Sequence, residues 1–211
     1  MIIAVDGPAA SGKGTIGRAL AEHYGLPHLD TGLLYRAVGL SVARAGGNPD
    51  NEADALAACH FDEALLSHPE LRSEGSGALA SRVSIHPAVR EALIKRQRDF
   101  ADQPGGAVLD GRDIGTVIAP HAPIKLYVTA SAEKRAERRM LELRSRGLHP
   151  NFDALVADIR ARDDRDLNRP IAPLKRAEGA ALLDTSNLSI EAAVRQAIVL
   201  VDAQLQDQQQ G

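Results

Sequence analysis

The stretch VDGPAASGKGT, residues 5–15, follows the apolar run IIAV and leads into the amphipathic stretch GTIGRALAEHY. Gly7 and Gly12, five apart, with Lys13 after the second, form a phosphate loop when a strand feeds in and a helix leads out, and both contexts are met. The small residues between them, Pro8, Ala9, Ala10 and Ser11, let successive backbone N–H groups turn onto phosphate oxygens, and the helix N-terminus adds a favourable dipole. Lys13 supplies a mobile positive charge between the β- and γ-phosphates. The common loop carries Ser or Thr directly after the lysine. Here Gly14 takes that place and Thr15 follows, which weakens the case for direct Mg²⁺ ligation by a loop hydroxyl.

Working outward, short apolar runs alternate with longer helical patterns. IIAV (2–5), GAVLD (106–110), IKLYV (124–128) and ALLD (181–184) read as strands buried on both faces of a parallel sheet, and a short HLD at 28–30 as a further strand. LLYRAVGLSVARA, PAVREALIKRQRDFA, SAEKRAERRMLELRSR, FDALVADIRARDDRD and SIEAAVRQAIVLVDAQL read as helices, with Ser131 and Ser189 as N-caps and Pro87 at a first helical position. The alternation predicts an α/β fold in which ligands sit at the carboxyl ends of the strands. Residues 60–86 show only weak helical patches around a Ser/Gly-rich break, and the polar tail QLQDQQQG is expected to fray.

The 211 residues carry a net charge of −3, so no global field favours nucleic acid or an anionic membrane, and no stretch reaches the ~20 apolar residues of a membrane span. With no basic leader, the chain reads as cytoplasmic. Cys59, the single cysteine, excludes an intrachain disulfide and a cysteine-rich zinc site and reads as a small buried apolar residue. The seven histidines read as scattered surface or packing residues.

Four further stretches bear on a second anionic ligand, and each has a plain structural alternative. In LDTGLLYR (29–36), Asp30 and Thr31 suit a helix cap, with Tyr35 and Arg36 one turn on; a simple cap with an exposed arginine fits equally. DGRDIGT (110–116) follows a strand and places Asp110 where it can face the crevice as a partner of Mg²⁺-bound water, or it is a polar turn. KRAERR (134–139) sets Arg135 and Arg139 on one helical face; a polyanion relieves their repulsion, or Glu133 and Glu137 compensate it. In RARDDRDLNRP (160–170), Arg162, Asp166 and Arg169 are spaced 4 and 3, on one face of a solvated helix or of a mobile lid.

The G-K-G-T form of the loop resembles nucleoside monophosphate kinases. Taken together, DGPAASGKGT, LDTGLLYR, PAVREALIKRQRDF, LDGRDIGTVIAP, AEKRAERRMLEL, ARDDRDLNRPIAPL and DTSNLSIE resemble the bacterial cytidylate kinases in order and spacing, over nearly the whole chain except about 46–80. The resemblance implies a single kinase domain over 1–211 with a P-loop NTPase-type parallel sheet: a core of about 1–45, 104–146 and 171–211, an NMP-binding insertion at about 46–103 and a short helical lid at about 147–170. It implies that Gly7 to Thr15 bind ATP, with Arg135 and Arg139 on the ATP side. Thr31, Arg36, Arg112 and Arg169 would hold the acceptor phosphate, with Tyr35 lining the acceptor site, and Arg162 and Asp166 would contact the sugar. Ser81, Arg90 and Asp113 would read cytosine. That last role also follows from chemistry: a carboxylate accepts from cytosine's amino group and opposes uracil's carbonyl, and an arginine complements N3 and O2. One departure is the insertion, shorter than the family's and without clear strands, which bears most on Ser81.

The expected reaction is Mg²⁺-dependent transfer from ATP to CMP or dCMP. Lys13, Arg112 and Arg169 would stabilise charge, and Thr15 and Asp110 would attend the metal. A phosphate oxygen is already anionic at neutral pH, so no general base is required. AMP, UMP or a non-nucleotide acceptor is the alternative within the kinase class. A slowly hydrolysing P-loop switch is the alternative outside it, opposed by the lack of a guanine-reading N-K-x-D segment. With no long apolar face left unused, a monomer is expected, binding small nucleotides and no nucleic-acid polymer.

Overall fold

A computed structural model describes residues 1–210. Its centre is a five-stranded, wholly parallel sheet in the order β2-β3-β1-β4-β5, formed by β1 (Ile2–Asp6), β2 (His28–Asp30), β3 (Ala107–Gly111), β4 (Ile124–Thr129) and β5 (Ala181–Asp184). All five lie where the sequence reading put strands, but the edge strands are not buried on both faces: β2 is only partly buried and Leu182 of β5 is exposed. Helices α1 (Lys13–Tyr24) and α8 (Ile190–Gln210) pack over one face, burying Ile3, Val5, Leu20, Leu126, Val128, Leu183 and Val201 together. The tail expected to fray instead continues α8 through Gln210, with Gln204 bonded to the backbone of Lys125; Gly211 lies outside the described residues.

Between β2 and β3 run α2 (Thr31–Arg44), α3 (Glu52–Ala57), two 3-10 turns, α4 (Glu74–Val83) and α5 (Pro87–Ala101). Within this stretch residues 60–86, the part least legible in sequence, form the two 3-10 turns and α4. The Ser/Gly-rich segment lies inside α4, although glycine there costs about 1 kcal/mol in helix propensity. Packing supplies the reason: α4 lies directly on α2, where a Cβ at Gly39 would come 2.7 Å from Leu79 Cβ. Small residues permit that approach. Cys59 is half-buried beside the cluster of Leu34, Val38, Val83 and Leu93, and burial pushes its thiol up to about 11, so it behaves as an apolar residue.

After β4 come α6 (Ala132–Ser145) and α7 (Phe152–Asn168), a helical hairpin with its own small apolar cluster of Ala136, Leu143, Leu155, Val156 and Ile159. Ser131 caps α6 by accepting from Lys134 N–H, Ser189 caps α8 through Ala192 N–H, and Pro87 opens α5.

Candidate active site

β1 stops at Asp6 because the chain must turn at Gly7. A Cβ there would lie 2.0 Å from the Val128 carbonyl oxygen of β4. The loop then passes through Ala10, at φ 58°, and Gly12, at φ 95°, before entering α1 at Lys13. A non-glycine residue held in the left-handed region is uncommon and clusters at ligand-binding turns. Gly7→Ala is expected to lower unfolding stability by about 1–3 kcal/mol or more, by overpacking against β4, and to weaken ATP binding; chemical denaturation and nucleotide titration read both.

The loop is clamped from outside. Thr185, just past β5, donates to the Ser11 carbonyl at 2.9 Å, and Arg138 on α6 reaches the same carbonyl at 3.4 Å and Thr185 Oγ1 at 3.0 Å. Arg135, 4 % exposed, donates to the Ala9 carbonyl and makes a forked pair with Asp163 of α7 at 2.9 and 2.5 Å. Arg139 pairs with Glu142 at 2.6 Å and lies close enough to Arg36 to repel it, whereas Arg138 is the neighbour that touches the loop. Helical spacing had directed attention to the four-apart pair; Arg138, three from Arg135, shares that side of α6 as well.

Inside the loop, Lys13 is half-buried, and burial followed by repulsion from Arg112 pushes its ammonium down to about 8. A phosphate set beside it reverses that shift. ATP binding near pH 8 is therefore expected to take up a proton, because the bound state holds Lys13 charged where the free state is partly neutral. Calorimetry in buffers of different ionisation enthalpy measures the uptake, and Lys13→Met should remove it.

The acids lie at the strand ends. Asp30 and Asp110 are cross-strand partners, and burial together with the Asp110 charge raises Asp30. Asp30 occupies the cap position of α2 without a side-chain capping bond, and Thr31 donates to the Asp110 carbonyl at 2.8 Å, so neither side chain caps as expected. The short β2 strand places both residues against β3, where the crevice and β3 compete for them. His28, read as surface or packing, instead binds the Asp110 carboxylate at 2.9 Å. Two residues ahead of Asp30 on one strand, it shares that residue's side of the sheet, the period-2 signal by which it was findable.

Gly14 faces this carboxylate: a Cβ there would come within 3.8 Å of Asp110 Oδ1. Thr15 is exposed. Hard oxygen donors beside an open space suit Mg²⁺, which keeps most of its waters and takes few protein ligands. No group of three or more His, Cys, Asp or Glu among the described residues forms a cage for an ion by itself.

Across from Lys13 stand the arginines. Arg112 pairs with Asp166 at 2.7 Å. Burial alone would raise Asp166, but Arg112, Arg162 and Arg169 hold it below the usual carboxylate range. Arg162 Nε is buried without a partner, and burial plus Arg112 pushes its guanidinium down to about 10. Arg36 donates to the carbonyls of Leu71 and Ser73, and burial lowers it as well. Gly77 of α4 makes room for both: a Cβ would sit 3.2 Å from Arg36 Nη2 and 3.3 Å from Arg162 Nη1. Gly77→Ala should therefore raise KM for the phosphate acceptor several-fold with little change in KM for ATP, as steady-state kinetics will read.

Deeper still, Asp113 is bonded to Arg90, with Arg169 at 3.5 Å on its other oxygen, all three buried. Arg169 lies beyond α7, not on its face: it is the extended cap residue, and its Nε binds the Ala172 carbonyl. The Arg90 guanidinium stands 5.7 Å from the Tyr35 ring centroid, a cation–π contact. An apolar cleft of about 170 Å³, lined by Tyr35, Arg90, Ile94, Val117, Ile118 and Ala172, opens beside it. Ser81 accepts from Arg165 of α7 at 3.2 Å.

The family model described as Cytidylate kinase matches residues 3–203. The chain belongs to the cytidylate kinase family. Among its relatives, the cytidylate kinase of Nitrobacter winogradskyi is 54% identical over 96% of both chains. That of Bradyrhizobium sp. is 56% identical over the same shares, and that of Xanthobacter autotrophicus 56% identical over 96% of this chain and 98% of its own. A solved structure of an uncharacterized protein from Eubacterium ventriosum shares the fold, with TM-score 0.57 and 15% identity over 96% of this chain and 98% of that one. As a cytidylate kinase family member the protein is a nucleoside monophosphate kinase, a phosphotransferase. No helix among the described residues is long and apolar enough to cross a membrane.

Proposed function

We propose that the protein transfers the γ-phosphoryl group of ATP to CMP or dCMP, yielding ADP and the diphosphate. The observation that carries this reading is the charge arrangement: Lys13 on one side and Arg36, Arg112 and Arg162 on the other act on one another's ionisation, with one arginine nitrogen buried and unpartnered. Two facing anionic groups, donor and acceptor phosphates, relieve that repulsion. Gly7 to Thr15 hold ATP, with Arg135 and Arg138 bracing the loop. Thr31, Arg36, Arg112 and Arg169 hold the acceptor phosphate, Arg162 and Asp166 the sugar, and Ser81, Arg90 and Asp113 the base, against Tyr35.

The acceptor oxygen attacks in line and needs no base. The chain's residues supply orientation and charge: Lys13 and the arginines stabilise negative charge on the transferring group. The carboxylates Asp110 and Asp30, next to the space left by Gly14, fit Mg²⁺ held through water, with Thr15 Oγ as a further oxygen. When bound, the ion neutralises phosphate charge. Residues 147–170 act as a lid, with 46–103 as the acceptor-binding insertion. Asp163, Asp166 and Arg165 on α7 bring the lid's contacts to Arg135, Arg112 and Ser81. In this reading the working unit is a monomer that acts on small nucleotides in the cytoplasm.

A coupled ADP-release assay with Mg-ATP and, separately, CMP, dCMP, UMP and AMP tests this. Strong preference for CMP and dCMP is the expected result. Equal turnover of UMP would remove the base-reading roles, and turnover of none would remove the acceptor site.

A further inference from the structure

Asp6 closes β1, is 2 % exposed and stands one residue ahead of the phosphate loop. Its carboxylate spends both oxygens on another segment. Oδ1 accepts from Ile114 N–H and Oδ2 from Gly115 N–H, each at 2.8 Å. Those N–H groups are the open donors at the start of the one-turn π-helix Ile114–Ile118. The residue placed to cap that turn is Asp113, and an aspartate in that position commonly caps its own turn. Here it makes no capping bond; its backbone sits at φ −144°, ψ 26°, and its carboxylate turns away to Arg90 and Arg169. A carboxylate from a different strand has taken over the capping. Space at the junction is tight: a Cβ at Gly115 would lie 3.1 Å from Ala177 Cβ, 3.3 Å from Lys125 Cδ and 3.4 Å from Asp6 Oδ2.

We propose that Asp6 is a positioning residue for base selection: by capping the 114–118 turn from β1, it releases the Asp113 carboxylate to face the acceptor base and fixes its direction. The proposal rests on the assignment of Asp113 as a base reader. It accounts for both Asp6 oxygens and for the absent cap at Asp113. It also links the strand that opens the ATP loop to the group that chooses the acceptor. An asparagine at position 6 has the same size but one acceptor oxygen, so one of the two N–H groups would meet an amide NH₂. The turn must then shift, or Asp113 must swing back to cap it.

The test compares kcat/KM for CMP and UMP in the wild type, Asp6→Asn and Asp113→Asn, with a thermal melt of each. The expected result is a fall of tenfold or more in the CMP/UMP ratio for Asp6→Asn, arising mainly in KM for CMP, with KM for ATP changed less than about threefold. If Asp6→Asn does not fold, Asp6→Glu takes its place. Glu retains both oxygens but displaces them by one methylene, and the same fall is expected. A folded position-6 variant with an unchanged ratio, while Asp113→Asn loses it, overturns the proposal alone. An unchanged ratio in Asp113→Asn overturns the base-reading assignment, and the proposal with it. A loss confined to KM for ATP shows that Asp6 serves only the phosphate loop and also overturns it.

Discussion

Lys13→Ala should lower kcat by roughly 10²–10³-fold, the scale of removing one preorganised donor to developing charge, without unfolding the protein. The second half of that expectation separates a catalytic charge from a structural one. Burial and Arg112 already push this ammonium down to about 8, and the hydrogen bond it makes among the described residues is a long one, 3.4 Å, to the Pro8 carbonyl. Its removal therefore relieves repulsion in the free enzyme, and the melting temperature should hold or rise. Single-turnover kinetics with a parallel thermal melt would decide it; near-normal turnover would sink the assignment of Lys13 to the transferring group.

Asp113→Ala should behave in the opposite way, damaging stability as well as function. It leaves Arg90 and Arg169, both 7 % exposed, facing each other without their shared carboxylate. Removing one partner from a buried ion pair costs about 3–5 kcal/mol, because the remaining charge is left uncompensated. For a chain of this length that lowers the melting temperature by roughly 6–20 °C. Adding CMP should restore little of the loss, since the group proposed to accept from its amino nitrogen is gone. A ligand-dependent thermal shift comparing CMP with UMP reads both effects at once: wild type favours CMP, and the variant should respond weakly and equally to the two.

The sheet was legible because β1, β3 and β5 are short apolar runs closed by Asp or Asp-Gly and β4 is mostly apolar, whereas the three-residue HLD offers only Leu29. The phosphate loop was legible because its glycines answer to local geometry: Gly7 to a carbonyl 2.0 Å away and Gly12 to a left-handed backbone. Residues 60–86 were the least legible, for a tertiary reason. The glycines of α4 oppose helix formation on their own and are compensated only by α2 lying against them, a contact local periodicity cannot reveal. Arg169 appeared to continue the helical face of Arg162 and Asp166, but the following Pro170 ends α7 at Asn168, and the arginine reaches Asp113 from an extended segment. His28 was overlooked because its period-2 relation to Asp30 spans only a three-residue strand; the contact with Asp110 becomes visible when β2 is paired with β3.

The strand order also carries a consequence for how the chain is made. β1 lies between β3 and β4, and its register pairs Ile2 with Ala107 and Ile3 with Ile124. Strand β1 thus has neither sheet neighbour until about a hundred more residues have been synthesised. At about 5–20 residues per second, that is a wait of roughly 5–20 s. During it the apolar IIAV segment and the loop behind it stand open to chaperones and to aggregation. The helices from α2 to α5 are made in that interval and can pack on one another first. Nucleotide binding is therefore a property this chain acquires late, although the phosphate loop is translated well before the two strands that flank β1.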